Sequence, residues 1–220
     1  MNRTQIMAIL AVPMCAVLPA AGAQETVRYW YDGAGRLVGA GYSSGVTNTA
    51  AIQYGYDANG NRTNLLILGQ GDTANTDADD LRDVDELAFF GDLAQTVAGD
   101  PDSDGLANTN ELAFGSDPTL SNTDGDPADD YHEWVADTGP NDPASHFHIT
   151  AVSNLPSLGV YFLSSLNRQY TMEGCSNLVD GAWTNVPGAG PRAGAGGNDS
   201  MTDTNQPAQG SFYRLKVALP

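Results

Sequence analysis

Between residues 100 and 111 the chain sets oxygen-bearing side chains at fixed intervals: Asp100, Asp102, Asp104, Asn108 and Glu111, with Gly105 and Leu106 between them. The run satisfies D-x-D-x-D-G-x5-E. In that spacing, carboxylates at loop positions 1, 3 and 5 turn inward together around a glycine bend. Leu106, at position 7, offers its backbone carbonyl; Asn108, at position 9, acts through a water; and Glu111, at position 12, closes the loop with both oxygens. The chemistry served is that of a hard cation, Ca2+, which takes about six to eight oxygens at roughly 2.3–2.6 Å.

Two further stretches repeat the pattern. Asn122, Asp124, Asp126, Asp130 and Glu133 fill positions 1, 3, 5, 9 and 12 of one, with Pro127 where the glycine should be. A proline φ is fixed near −65°, so a different bend is expected there. Asn75, Asp77, Asp79, Asp83 and Glu86 form the other, with Asp80 at the glycine position, a residue that tolerates left-handed backbone better than most. The loops begin 25 and 22 residues apart, and an apolar cluster and then a glycine follow each closing glutamate. Each loop is therefore expected to feed one or two helical turns. A solvated acidic linker would not repeat apolar residues in phase with its carboxylates.

The charge balance agrees with that division. The 220 residues carry a formal charge of −18, yet 20 of the 27 acidic residues lie between Asp72 and Asp142, beside a single base, Arg82. Such a chain lacks the Lys and Arg that displace counterions from nucleic acid, and anionic membranes repel it. With 16% charged and 41% hydrophobic residues it is not a disordered acidic tail.

The flanks read differently. Residues 1–23 have the form of a secretory signal: Arg3, an apolar run from Ile6 to Leu18, then Ala21-Gly22-Ala23 as a cleavage site. No stretch reaches the roughly 18 apolar residues of a membrane span. Only Cys175 remains after cleavage, so no disulfide framework is expected, and that thiol is expected to be a buried apolar side chain. From Tyr29 the chain reads Tyr-Trp-Tyr-Asp-Gly-Ala-Gly-Arg, and from Tyr54 it reads Tyr-Gly-Tyr-Asp-Ala-Asn-Gly-Asn-Arg. Tyrosines two apart share a strand face; Asp32 and Asp57 can accept turn N–H groups, and the glycines three residues later permit positive φ. After His146, alternating runs at 146–152, 159–164, 169–175 and 211–219, with a short one near Trp183, read as strands, and the Gly/Ala-rich stretch 187–197 as a flexible loop. His132, His146 and His148, without cysteine partners, are expected to be structural or exposed and not a zinc site. No nucleophile, zinc-hydrolase or phosphate-loop pattern is present, so no enzyme is expected.

Residues 72–145 resemble the bacterial form of the thrombospondin type 3 repeat, D-x-D-x-D-G-L-x-x-x-x-E followed by Gly115-Ser116-Asp117-Pro118. That resemblance implies aspartates wrapping calcium ions in a string with little core, and places Asp117 and Asp142 where the family's linking acids complete neighbouring sites. Residues 29–68 resemble the YD (RHS) repeat, which implies a short β-meander. The last quarter resembles the terminal β-domain found behind calcium repeats in secreted bacterial proteins. The expectation is a mainly β, multi-part chain: signal 1–23, β-meander 24–70, acidic calcium-loop repeats with short helical turns 71–145, and an antiparallel sandwich-like domain 146–220. It is expected to be secreted or at the cell surface, with Ca2+ as cofactor. Its partner would be an extracellular protein or cell-wall glycan, with no nucleic acid. A dockerin-like docking module or a carbohydrate-binding surface protein is the alternative.

Overall fold

The structure, a computed structural model, describes residues 25–45, 48–154, 157–179, 181–205 and 211–220. The expected secretory segment, 1–23, lies outside the described residues. The chain is mainly β, with several antiparallel sheets and three short helices.

Four consecutive strands, β1 (Glu25–Tyr31), β2 (Leu37–Ser44), β3 (Thr49–Tyr56) and β4 (Arg62–Leu68), pair in sequence order as an antiparallel meander. Both Tyr-x-Tyr-Asp turns close as their residues require. The Oδ1 of Asp32 accepts the N–H groups of Ala34 and Arg36, and that of Asp57 those of Asn59 and Asn61. Gly35 and Gly60 sit at φ 76° and 84°, left-handed conformations that only glycine takes without strain.

Three seven-residue helices follow: α1 (Asp83–Phe89), α2 (Asn108–Phe114) and α3 (Asp130–Ala136). Each stops at a left-handed residue. Gly91 and Gly115 do so in the first two. In the third the stop is Asp137 at φ 63°, before the glycine at 139. Helix α1 lies on the inner face of the meander, where Ala51, Leu68, Val84 and Leu87 form a small core. Contact is close enough to demand glycine: a Cβ on Gly41 would stand 2.3 Å from the Ala88 carbonyl oxygen, and one on Gly91 2.4 Å from the Trp30 ring.

The remainder holds β5 (Ile149–Ser153), β6 (Leu158–Ser164), β7 (Gln169–Cys175), β8 (Thr184–Asn185), β9 (Arg192–Ala193), β10 (Gly197–Asp203) and β11 (Phe212–Ala218). They form two sheets, ordered β10-β6-β5 and β11-β7-β8, with β9 also on β7. Val160, Phe162, Tyr170, Met172, Val186 and Met201 meet between them, which gives the sandwich its core. Strand β9 runs through the stretch read as a loop, and β10 begins at its end. Glycines hid the first, and the polar run Gly-Asn-Asp-Ser of the second showed no alternation of apolar residues. Cys175 is buried and forms no disulfide.

If the contact of α1 with the meander is as tight as the Gly41 geometry requires, Gly41→Ala should cost about 1–3 kcal/mol. Gly33→Ala, whose Cβ would meet nothing within 4 Å, should lie within about 0.5 kcal/mol of wild type. Urea denaturation midpoints compare the two.

Candidate metal centre

The three loops share a backbone scheme that begins with their carboxylates. At position 5, the Oδ1 atoms of Asp79, Asp104 and Asp126 accept the N–H of Leu81, Leu106 and Ala128, at 2.9, 2.7 and 2.7 Å. At position 3, Asp102 and Asp124 likewise accept the N–H groups of Asp104 and Asp126. One oxygen of each of these groups therefore holds the loop; the second oxygen of Asp104 takes an N–H from α3, and the others are left over. The Oδ2 atoms of Asp79, Asp102 and Asp124 are buried and have no hydrogen-bond partner, and that of Asp126 faces only the ring nitrogen of His146.

The bend uses two left-handed positions where one was expected. Asp80 and Gly105 at position 6 have φ 75° and 101°, and Ala78, Ser103 and Gly125 at position 4 have φ 62°, 65° and 76°. Pro127 cannot join the first set, so the third loop turns on Gly125 alone. A left-handed Ala or Ser costs on the order of 1–3 kcal/mol, and such strain persists where surrounding structure or a ligand over-determines it.

The closing glutamates are buried to a degree unusual for their residue type. Glu86, Glu111 and Glu133 are each 0% exposed. Oε2 of Glu111 and of Glu133 lacks a hydrogen-bond partner, and Glu86 makes no bond of good geometry, with only the backbone N–H of Gln95 near enough to favour its charged form. Among the described residues, the side-chain hydroxyls near the others are those of Ser116, 3.5 Å from Glu111 Oε1, and Thr138, 3.2 Å from Glu133 Oε1. No cationic side chain neutralises any of them among the described residues. Burial, then Asp102 and Asp104, push the Glu111 carboxyl up to about 9. Burial, then Asp124 and Asp126, push Glu133 to about 8, and burial, then Asp79 and Asp77, push Glu86 to about 7. Burial also lifts Asp102 and Asp130 to about 6.

Carboxylate oxygens converge at each loop. One atom each from Asp77, Asp83 and Glu86, from Asp100, Asp102 and Asp104, and from Asp124, Asp126 and Glu133 lie within 4.8 Å of one another. Two oxygens on opposite sides of a calcium ion stand about that far apart, twice roughly 2.4 Å. Position 1 behaves differently: Asn75 Oδ1 accepts the N–H of Asp79, and Asn122 Oδ1 that of Gly125 at 2.6 Å, so both also hold backbone.

Position 9 closes the loops mechanically. Asp83 accepts the N–H and hydroxyl of Thr76, and Asp130 those of Thr123, each pair joining positions 2 and 9. The middle loop has Pro101 at position 2, with no N–H to give, and there Asn108 turns its Nδ2 to the Thr96 carbonyl instead. Repetition of Thr at position 2 with Asp at position 9 was a signal available in the sequence. Leu106 buries its side chain beneath the middle loop. Asp117 is engaged elsewhere, by Arg28 at 2.5 Å and by the N–H and hydroxyl of Thr119. Asp142 is close enough to the third loop for its charge to raise Asp124, after burial and Asp126.

Three contacts were not legible beforehand. Tyr131 N–H donates to Asp104 Oδ2 at 3.1 Å, tying the middle loop to the first turn of α3. His146 brings Nδ1 to 3.0 Å from Asp126 Oδ2, while His132 is exposed beside Asp129. Arg168 donates to the carbonyls of Val135 and Trp134, at 2.7 and 2.8 Å, fastening the end of α3 to the C-terminal sheets. No described helix is long and apolar enough to cross a membrane.

A carboxyl whose folded value lies above its ordinary one ionises sooner when the chain unfolds, so it opposes folding increasingly as pH rises between the two values. The metal-free chain should therefore lose thermal stability progressively from pH about 4.5, the ordinary glutamate value, to about 9. Calorimetric scans in chelator across that range check the direction.

Comparison of the chain with protein-family models, with curated proteins and with solved structures returned no match, so the chemistry of the three loops rests on their own side chains.

Proposed function

We propose that this is a secreted, non-enzymatic calcium-binding structural protein whose acidic repeats are ordered by Ca2+ between two β modules. The observation that carries this reading is the set of fully buried closing glutamates with unpartnered oxygens. Burying an ionised carboxylate without a counter-charge costs several kcal/mol, which is why burial raises all three, and a cation at each loop would let them ionise at matching loop positions. The donor set is all oxygen, which suits Ca2+ over softer metals.

Bound Ca2+ would supply positive charge at each loop, lowering the cost of clustering acids. The chain's residues do the rest. Asp77, Asp83 and Glu86 would hold an ion in the first loop, Asp100, Asp102, Asp104 and Glu111 in the middle one, and Asp124, Asp126 and Glu133 in the third. Leu106 would add its carbonyl. Asn75, Asp79, Asn108, Asn122, Asp130 and Asp142 support the loops or their charge field, and Asp117 pairs with Arg28 to fix the repeats to the first sheet. Because the helices are seven residues long and little core lies between them, site formation and folding of this stretch would be one event. The likeness to thrombospondin type 3 repeats agrees with this reading.

Isothermal titration of the full chain with CaCl2 tests it. Saturable binding is expected, at dissociation constants on the order of 10⁻³ M or tighter. Glu111→Gln should remove or weaken at least about tenfold one class of sites while the others remain. Absence of heat at millimolar calcium, or an unchanged isotherm for Glu111→Gln, would contradict the proposal.

A further inference from the structure

The third loop has a nitrogen beside its carboxylates. His146 Nδ1 stands 3.0 Å from Asp126 Oδ2, yet the pair does not meet hydrogen-bond geometry, and each atom is buried without a partner. Asp124 Oδ2 and Glu133 Oε2 share that condition, so three oxygens and one nitrogen are left unused around this loop. One atom each from Asp124, Asp126 and Glu133 lie within 4.8 Å of one another, and the imidazole stands on the Asp126 side of them. The Asp126 side chain is 1% exposed and Glu133 0%, so neither turns to water. Among the described residues, no imidazole pairs with the carboxylates that converge at the first two loops.

The C-terminal sheets set the place of that ring. Phe147, the next residue, packs against their core, with its ring 6.1 Å from that of Phe162 and 5.7 Å from that of Tyr170. His148 donates from Nδ1 to the His146 carbonyl at 2.8 Å, and its ring lies 4.8 Å from the His146 ring. Spacing along the chain offers no reason for His146 to meet Asp126. The approach comes from the way the last repeat and the C-terminal sheets are joined.

Donor count and donor type separate the cations this loop could take. Ca2+ wants about six to eight oxygens. Several that the third loop would offer are engaged: Asn122 Oδ1 takes the N–H of Gly125, both oxygens of Asp130 hold Thr123, and the Oδ1 atoms of Asp124 and Asp126 each accept a backbone N–H. Zn2+ is satisfied by about four donors, histidine nitrogen and carboxylate oxygen among them, at roughly 2.0–2.2 Å. Two such ligands stand about 3.0–3.4 Å apart, across an octahedral or a tetrahedral angle. The Nδ1 to Oδ2 separation of 3.0 Å falls there. Imidazole, a softer donor than carboxylate, also favours zinc over calcium. We infer that the third loop is a zinc site in which His146 Nδ1 joins Asp124, Asp126 and Glu133, so that Zn2+ displaces the Ca2+ this loop would otherwise hold. The ion would draw the ring inward and join the last repeat to the C-terminal sheets through ligands from both. This inference rests on the proposed reading of the loops as cation sites and concerns the third alone.

Isothermal titration of the full chain with ZnCl2, in millimolar CaCl2, tests it. A single equivalent of zinc is expected to bind with a micromolar or tighter dissociation constant. His146→Ala should weaken that binding at least about tenfold and leave the calcium isotherm of the first two loops unchanged. His132→Ala, which removes an exposed ring, should change neither. In the unmutated chain the Nδ1 nitrogen resonance of His146 should shift on zinc addition, which reads the contact without any substitution. Absence of zinc binding in calcium would overturn the inference, as would an isotherm that His146→Ala leaves unchanged or a His146 resonance that zinc leaves in place. A chain that binds calcium and not zinc overturns this inference alone. Zinc binding that depends on His146, without any calcium heat, would uphold it and overturn the calcium reading instead.

Discussion

The architecture turns on one constraint, the burial of carboxyl groups that have no counter-charge to let them ionise. Glu86, Glu111 and Glu133 each sit in the first turn of a short helix, fully enclosed, close to other carboxylates. Elsewhere the chain handles its acids in ordinary ways. Asp199 is held down to about 2 chiefly by Arg192, and Arg214, then Lys216, hold Glu173 below the usual range despite its burial. The contrast lies within one molecule: the C-terminal sheets pair Asp199 and Glu173 with arginine, and no cationic side chain among the described residues reaches the three closing glutamates. On the proposed reading the missing partner is calcium.

The loops are not free of the sheets that flank them. On one side α1 presses its Ala88 against Gly41, Thr49 donates to the buried Asp85, and Arg28 reaches across to Asp117. On the other, Arg168 caps the carbonyls at the end of α3. Between them, Asp104 and the Tyr131 N–H link the middle loop to the third helix. The acidic stretch is thus tied at both ends and in its middle. Order imposed at one loop would be carried to the modules beside it through these contacts.

Much of the local design was legible in the residues. The D-x-D-x-D-G-x5-E spacing located the convergent carboxylates, and the glycines after Asp32 and Asp57 located both hairpin turns. Pro127 marked the loop whose sixth position does not turn left-handed. Contacts set by the tertiary arrangement were hidden. Nothing in the neighbourhood of Arg168 points to α3, 34 residues earlier. The left-handed Ala78 and Ser103 carry no residue signal, because neither is a residue that favours that conformation. Strand β10 escaped notice for a related reason: its polar residues pair with β6 through backbone bonds that no side-chain pattern reports.

The central claim is that cation binding and folding of the acidic repeats are one process. Hydrogen–deuterium exchange of the full chain, in millimolar calcium and in chelator, addresses it most directly. The account predicts that amides of α1, α2 and α3 and of their loops gain strong protection with calcium, while those of β6, β7 and β11 change little. Equal protection of the three helices in both conditions would contradict it, because the buried glutamates would then be tolerated without any compensating ion.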